Sequence, residues 1–124
     1  MKRFPDAPVF GPNAREKPSG IVALDHGAII REGGFGVEVC STPGHVEAHH
    51  CYRVTVPTAP SGRVLLISGD LLFAGSIGGA FHCGKRLQSS LEQVLDRNDD
   101  TTVIAPGHGP LSTIENERQF NPFF

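Results

Sequence analysis

Cysteine is scarce in this sequence and is not arranged for cross-linking. The three cysteines, Cys40, Cys51 and Cys83, are odd in number and widely spaced. They form no Cys-x-x-Cys pair, which argues against a disulfide framework and against a thiolate zinc site. Cys40 and Cys51 fall inside predicted strands, where we expect buried, reduced thiols. A reducing, cytoplasmic compartment is therefore the expected location.

Basic patches and long apolar runs are also missing. The chain has 11 Lys and Arg against 13 Asp and Glu, and charged residues make up 19% of it. Nucleic acid and anionic membranes are therefore not expected as partners. No apolar run approaches the ~20 residues that a membrane span needs. Met1-Lys2-Arg3 leads into Phe-Pro-Asp rather than an apolar stretch, so we expect no secretory signal.

Two common catalytic signatures are absent as well. No Gly-x-Ser-x-Gly elbow occurs, and Cys83 has no evident base partner in the sequence. The segments Ser68-Gly-Asp and Gly75-Ser-Ile-Gly-Gly lack the lysine and the spacing of a phosphate-binding loop. Serine-type nucleophilic catalysis and phosphate binding by such a loop are therefore disfavoured.

What is present predicts one domain over residues 1–124. Residues 5–20 are rich in proline and glycine and are predicted to form an extended loop, whereas residues 21–124 are predicted to form a sheet and helices. Strand-like runs cover 21–24, 28–31, 35–41, 49–56, 63–68 and 101–105, with a turn at 60–62. The continuous apolar run at 64–67 is typical of a strand buried on both faces.

Two helices complete the prediction. Leu87, Leu91, Val94 and Leu95 form one apolar stripe on a helix over 85–97, which Asn98 would end. A short helix over 113–120 would be capped by Ser112, with Glu115 at the capping-box position. The fold class is therefore α+β, a layered α/β arrangement with helices covering one side of a mixed sheet.

Three of these strands end in the same way. Each runs into a glycine that is followed by a metal-binding type of residue: His45, Asp70 and His108. If the strands end along one edge of the sheet, two imidazoles and a carboxylate meet there, which is a ligand set for zinc or a harder metal. This set of three is incomplete for a closed metal site.

The remaining candidates are weaker. His49 and His50 are neighbours in a predicted strand and must point to opposite faces, so at most one faces the site; we favour His49 as a positioning residue. Phe81, His82 and Cys83 could line a substrate pocket, although an ordinary loop is the favoured interpretation. His26 is expected to be an exposed turn residue.

The three candidate ligands lie in longer motifs, Thr42-Pro-Gly-His45-Val-Glu-Ala-His49-His-Cys-Tyr52, Ser68-Gly-Asp70-Leu-Leu-Phe73-Ala-Gly75 and Ala105-Pro-Gly-His108-Gly-Pro110. These motifs resemble the second half of the metallo-β-lactamase superfamily, most closely its glyoxalase II (hydroxyacylglutathione hydrolase) branch. The tail Glu117-Arg-Gln-Phe-Asn-Pro-Phe123 also resembles single-domain members. The resemblance runs from about Val9 to the end.

This resemblance implies an αββα sandwich with two metals, usually zinc, with iron or manganese also possible. His45 would bind one metal, His108 the second, and Asp70 would bridge them as the catalytic carboxylate. The metals would lower the pKa of a bound water to about 7. The bond cleaved in glyoxalase II relatives is a glutathione thioester.

The sequence also departs from the family. The early motif His-x-His-x-Asp-His and the helical glutathione-binding domain are absent, and Val46, Ala48 and Gly79 replace the usual Thr, Gly and basic residue. We therefore expect weak or no activity from the isolated chain. Half of such a sandwich would leave a sheet face uncovered, so we also expect self-association or a covering partner. A non-catalytic remnant or interaction subunit and an iron-dependent, persulfide dioxygenase-like enzyme remain open.

Overall fold

A six-stranded mixed sheet organises the chain in the computed structural model, which describes residues 4–15, 18–56 and 62–124. The strands are β1 Val9–Gly11, β2 Ile21–Ala23, β3 Ile29–Glu32, β4 Phe35–Ser41, β5 His50–Thr55, β6 Val64–Gly69, β7 Leu72–Phe73, β8 Ser76–Ile77, β9 Val103–Pro106 and β10 Ser112–Thr113. The helices are α1 Gly84–Arg97 and α2 Ile114–Phe120. The turn predicted at 60–62 lies outside the described residues except for Gly62.

The strand directions bring three chain corners to one edge. The sheet order is β10-β9-β6-β5-β4-β3, and β6 pairs parallel to β9 while the other pairs are antiparallel. The parallel pair needs a crossover connection, which α1 provides. Since β4 and β6 are both antiparallel to β5, they point the same way. The carboxyl ends of β4, β6 and β9 therefore lie on the same edge of the sheet.

Helix α1 covers one face of this sheet, as the apolar stripe predicts. Leu87, Leu91 and Val94 are buried and belong to one core cluster with Leu66 of β6 and Ile104 of β9. Full burial of each such side chain contributes about 1.5–3 kcal/mol. The helix ends where expected, because the Asn98 side-chain amide donates to the carbonyl of Val94 at 2.8 Å. The fold is α+β, and the core lies between the sheet and its helices.

The opposite face is only partly covered, so the prediction of a strand buried on both faces is wrong for this chain. Leu66 and Ser68 are fully buried on the α1 side, but Ile67, which points the other way, is 41% exposed. Val39 of β4 lies on the same face as Ile67, since both pair with Tyr52 of β5, and it is fully buried. This face is therefore covered at β4 but open at β6. The sequence pattern reports the apolar character of both faces but not what covers the second one.

Two local predictions also need correction. Strand β1 lies within the stretch predicted to be an extended loop, and it pairs parallel with β2. The cap of α2 is Thr113 rather than Ser112, since the Thr113 hydroxyl accepts from the backbone N–H of Asn116. The hydroxyl of Ser112 donates instead to the buried Glu117 carboxylate.

No helix in the described residues is both long and apolar enough to cross a membrane.

Candidate metal centre

The three predicted ligands meet at the common edge of β4, β6 and β9. His45 Nε2 lies 3.7 Å from Asp70 Oδ2, and His108 Nε2 lies 3.3 Å from Asp70 Oδ1. Each carboxylate oxygen therefore faces one histidine. Across the described ranges no group of three or more His, Cys, Asp or Glu side chains is arranged to hold a metal ion. The chain therefore brings the three side chains together without forming a complete three-ligand site.

His45 is held in the orientation that a metal ligand needs. Its Nδ1 lies 2.8 Å from the carbonyl oxygen of Gly79. A carbonyl only accepts, so Nδ1 carries the proton and Nε2 keeps its lone pair on the side of Asp70. Histidines that bind metals commonly donate their second ring N–H in this way. The donor chemistry at this position therefore fits a metal ion.

The loop that carries His45 is fixed by α1. The Ser90 hydroxyl donates to the carbonyl of Pro43 at 2.7 Å. The carbonyl of Gly44 accepts from the backbone N–H groups of His82 and Cys83 at 3.2 and 3.0 Å. These bonds join the loop after β4 to the residues just before α1 and to its second turn. His45 therefore sits on a rigid support, and its side chain is only 17% exposed.

Asp70 occupies a tight corner at the end of β6. Gly69 has a φ of +54°, in the left-handed region, and a Cβ there would lie 2.8 Å from His49 Nε2. The carbonyl of Gly69 accepts from the backbone N–H of Gly107 at 2.8 Å. This bond ties the corner that carries Asp70 to the loop that carries His108.

His49, the predicted positioning residue, lies against the corner that carries Asp70 and hydrogen-bonds to its backbone. Its Nε2 accepts the backbone N–H of Asp70 at 3.1 Å, so its Nδ1 carries the proton and donates to the Thr42 hydroxyl at 2.8 Å. Thr42 in turn donates to Cys51 Sγ at 3.4 Å. Burial lowers the pKa of His49, which favours the neutral ring that these bonds require. His50 belongs to the opposite face of the sheet, as alternation predicts.

The thiols are structural in character. Cys40 and Cys51 are buried and unpaired, and burial raises the pKa of Cys51 to about 12. Burial also raises the pKa of Cys40. Because the thiolate is the reactive form, neither is suited to be a nucleophile. This outcome matches the expectation of buried, reduced thiols.

The other candidates line the outer side of the site. Phe81 is 82% exposed, and its ring lies edge-on to His45 with a centroid distance of 5.1 Å. His82 is exposed and contributes its backbone to the His45 loop, as described above. His108 is the most open of the three predicted ligands, with a side chain 79% exposed and an edge-on contact to Phe73 at 5.9 Å. His26, exposed as predicted, accepts from the backbone N–H of Ser41.

Sequence reasoning missed two supports of the site. One is the carbonyl of Gly79, since a backbone acceptor leaves no trace in residue identity. The other is Thr42, whose position before Pro43 and Gly44 suggested only a stiff loop. Its complete burial next to two hydrogen-bonding residues distinguishes it in the structure.

Similar proteins point to one superfamily. No protein-family profile matches the chain. A Mycobacterium tuberculosis protein is 37% identical over 111 residues, covering 86% of this chain and 49% of that protein. A hydroxyacylglutathione hydrolase of Pseudomonas entomophila is 32% identical over 123 residues, covering 98% of this chain and 46% of that enzyme. The chain thus spans about half the length of these relatives.

Solved structures agree with the sequence relatives. ETHE1 from Myxococcus xanthus superposes with a TM-score of 0.77 at 27% identity, over 98% of this chain and 52% of that one. A metallo-β-lactamase from Staphylococcus aureus superposes with a TM-score of 0.75 at 28% identity, over 86% of this chain and 36% of that one. The chain therefore has a metallo-β-lactamase-like fold and is similar in sequence to members of that superfamily. The TTHA1623 protein, solved in a di-iron-bound form, is another structural neighbour, with a TM-score of 0.66 at 35% identity over 86% of this chain and 50% of that one.

Proposed function

We propose that this chain is the part of a superfamily metallohydrolase that carries His45, Asp70 and His108 as metal ligands. The observation that carries the proposal is the Asp70 carboxylate, whose two oxygens each face a histidine Nε2. Neutral imidazole and carboxylate are suitable ligands for zinc, iron and manganese. Metal bound there would activate water and polarise a carbonyl group.

The residues of the proposed site would have separate roles in metal binding and substrate contact. His45 would hold one ion, with its orientation set by the Gly79 carbonyl, and His108 would hold the other from its exposed loop. Asp70 would act as the catalytic carboxylate by joining the two. Phe81, exposed beside His45, would contact the apolar part of a substrate, whereas His82 lies further along the same loop.

The proposed substrate class is a thioester, and a glutathione thioester is the first candidate. Its support is the hydroxyacylglutathione hydrolase that aligns with 98% of the chain. Because only three ligands come from this chain, we expect weak or no turnover from it alone. The test is an assay of the zinc-loaded chain on a glutathione thioester, with Asp70→Asn as the matched control. Turnover near that of an intact relative would contradict the expected weakness. Where the wild-type chain shows measurable turnover, equal turnover by Asp70→Asn would contradict the assigned site.

An iron enzyme of the persulfide dioxygenase type is the second candidate. The similarity to ETHE1 and to a protein with a di-iron form favours it. Metal analysis of protein purified from its native host separates the alternatives. Iron would favour this candidate, zinc would favour the thioester hydrolase, and the absence of stoichiometric metal would favour a non-catalytic interaction subunit.

We further propose that the face bearing Ile67 is covered by the complementary half of a superfamily domain, which also supplies the missing ligands. The support is that this face is open at a central strand while the chain matches about half of each relative. Without that half, the chain should self-associate. Light scattering is the test: Ile67→Lys should reduce association, whereas Val22→Lys, on the exposed β2, should not. A monodisperse wild-type monomer at high concentration would contradict the proposal.

A further inference from the structure

A buried carboxylate on α2 accepts an unusual number of hydrogen bonds. Glu117 is fully buried. Its Oε2 accepts from the backbone N–H of Gly75 at 2.9 Å and from the Asn121 side-chain amide at 2.8 Å. Its Oε1 accepts from the side chains of Ser112 and Asn116. Burial alone would raise the pKa of Glu117, but these hydrogen bonds outweigh it and lower the pKa, so the group is held as an anion.

Two hydrogen bonds connect α2 and its C-terminal cap to the β7–β8 hairpin. Glu117 holds the N–H of Gly75, and the Asn121 amide donates to the carbonyl of Ser76 at 3.2 Å. The hairpin is therefore held at a donor and at an adjacent acceptor. Asn121 is itself buried, so the contact is shielded from water.

The held segment leads directly to His45. Strand β8 continues into Gly78 and Gly79, and the Gly79 carbonyl is the acceptor for His45 Nδ1. Gly78 packs so tightly that a Cβ there would lie 1.8 Å from the Asp70 carbonyl oxygen and 3.2 Å from His45 Nδ1. The position of this segment therefore sets the surroundings of two proposed ligands at once.

We infer that Glu117 is a positioning residue for the metal centre, acting through Gly75, the β7–β8 hairpin and the Gly79 carbonyl on the ring orientation of His45. This inference rests on the proposed function for its metal-binding consequence only. The orientation and tautomer of His45 belong to the chain itself. A buried carboxylate that served only to cap α2 would leave them unchanged.

The test compares Glu117→Gln with Thr113→Ala in the full chain. The glutamine keeps the size of the side chain but replaces one acceptor with a donor among groups that already donate. Thr113→Ala weakens the same helix by removing its cap without touching the hairpin. Two-bond proton–nitrogen spectra of the histidine rings, recorded in mildly alkaline buffer without metal, report the tautomer of His45.

We expect the wild-type protein and Thr113→Ala to show His45 protonated at Nδ1, and Glu117→Gln to show a mixture of tautomers. Zinc affinity should fall about tenfold or more in Glu117→Gln only, as for other residues that orient ligands. An unchanged tautomer in folded Glu117→Gln, or the same change in Thr113→Ala, would overturn the inference.

If Glu117→Gln does not fold, Glu117→Asp carries the test, because it keeps the charge but shortens the side chain and so withdraws the carboxylate from the Gly75 N–H. A mixture of tautomers is again the expected result, and a wild-type spectrum would overturn the inference. The spectra need neither metal nor substrate. If no variant binds zinc, the proposed function fails while the tautomer measurement still decides this inference.

Discussion

The two histidines of the candidate centre differ in how far this chain prepares them. His45 is mostly buried, its loop is bonded to α1, and its second ring nitrogen is engaged by Gly79. His108 faces the other oxygen of Asp70 from an exposed loop, with an aromatic edge contact as its lateral support. We call each histidine together with the Asp70 oxygen that it faces a half-site. Contacts within this chain fix the half-site at His45, whereas the half-site at His108 is left open.

Removing the carboxylate should eliminate both half-sites. We expect Asp70→Ala to weaken zinc binding by more than about 100-fold, because the loss of residues that merely orient ligands costs about 10–100-fold. Calorimetric titration of the folded variant measures it. Asp96→Ala, an exposed carboxylate on α1, is the control and should bind as the wild type does. Wild-type zinc affinity in Asp70→Ala would contradict the assignment of Asp70 as the ligand that both half-sites share.

The support of Asp70 should appear as stability. His49→Ala leaves the Asp70 N–H without its acceptor and removes one of the two hydrogen bonds of the Thr42 hydroxyl. An unsatisfied buried group costs about 1–3 kcal/mol. We expect the free energy of unfolding in urea to fall by about that amount or more. His82→Ala, at an exposed position, should change it by less than about 0.5 kcal/mol. Equal effects of the two substitutions would mean that His49 is not a support.

The comparison itself is tested by replacing each histidine in turn. His45→Ala should lower zinc affinity about tenfold more than His108→Ala, because the loss of a pre-oriented ligand removes more binding energy than the loss of one that must be ordered on binding. Parallel calorimetric titrations decide it. A larger loss in His108→Ala would reverse the assignment of the prepared half-site.

The smallest expected effect is the pH dependence that Glu117 gives to stability. Its pKa in the folded chain lies below the ordinary value, so its contribution is present above that ordinary pKa and is lost as the pH falls through the folded pKa. The slope cannot exceed about 1.4 kcal/mol per pH unit for one proton. Unfolding free energies measured across the acid range should show a flatter profile for Glu117→Gln. Glu115→Gln, exposed on the same helix, should keep the wild-type slope.

Helix α1 and the corners of the candidate site could be predicted from the sequence. The helical spacing of Leu87, Leu91 and Val94 predicts helix α1. A glycine before each candidate ligand predicts the chain corners that carry them. Both signals are local, because helical periodicity and a tight turn depend on neighbouring residues. The meeting of the three corners required the strand directions, which the sequence alone left conditional.

The unpredicted parts depend on long-range contacts. The Gly79 carbonyl is a backbone group, so residue identity does not indicate that it accepts a hydrogen bond. The sequence distinguishes Glu117 only as part of a tail motif and does not predict its burial, because a carboxylate on a short helix is usually exposed. The strand pattern around Ile67 predicted burial on both faces, because an apolar strand does not reveal whether its second face is covered. Only the resemblance to half of a sandwich implied an uncovered face.

The most direct test of the central claim is anomalous diffraction at the zinc edge from crystals of the zinc-soaked chain. The account predicts a peak about 2.0–2.2 Å from an Asp70 oxygen and about 2.0–2.1 Å from His45 Nε2. A second, weaker peak is expected between the other Asp70 oxygen and His108. Zinc bound elsewhere on the chain, with no peak beside Asp70, would contradict it.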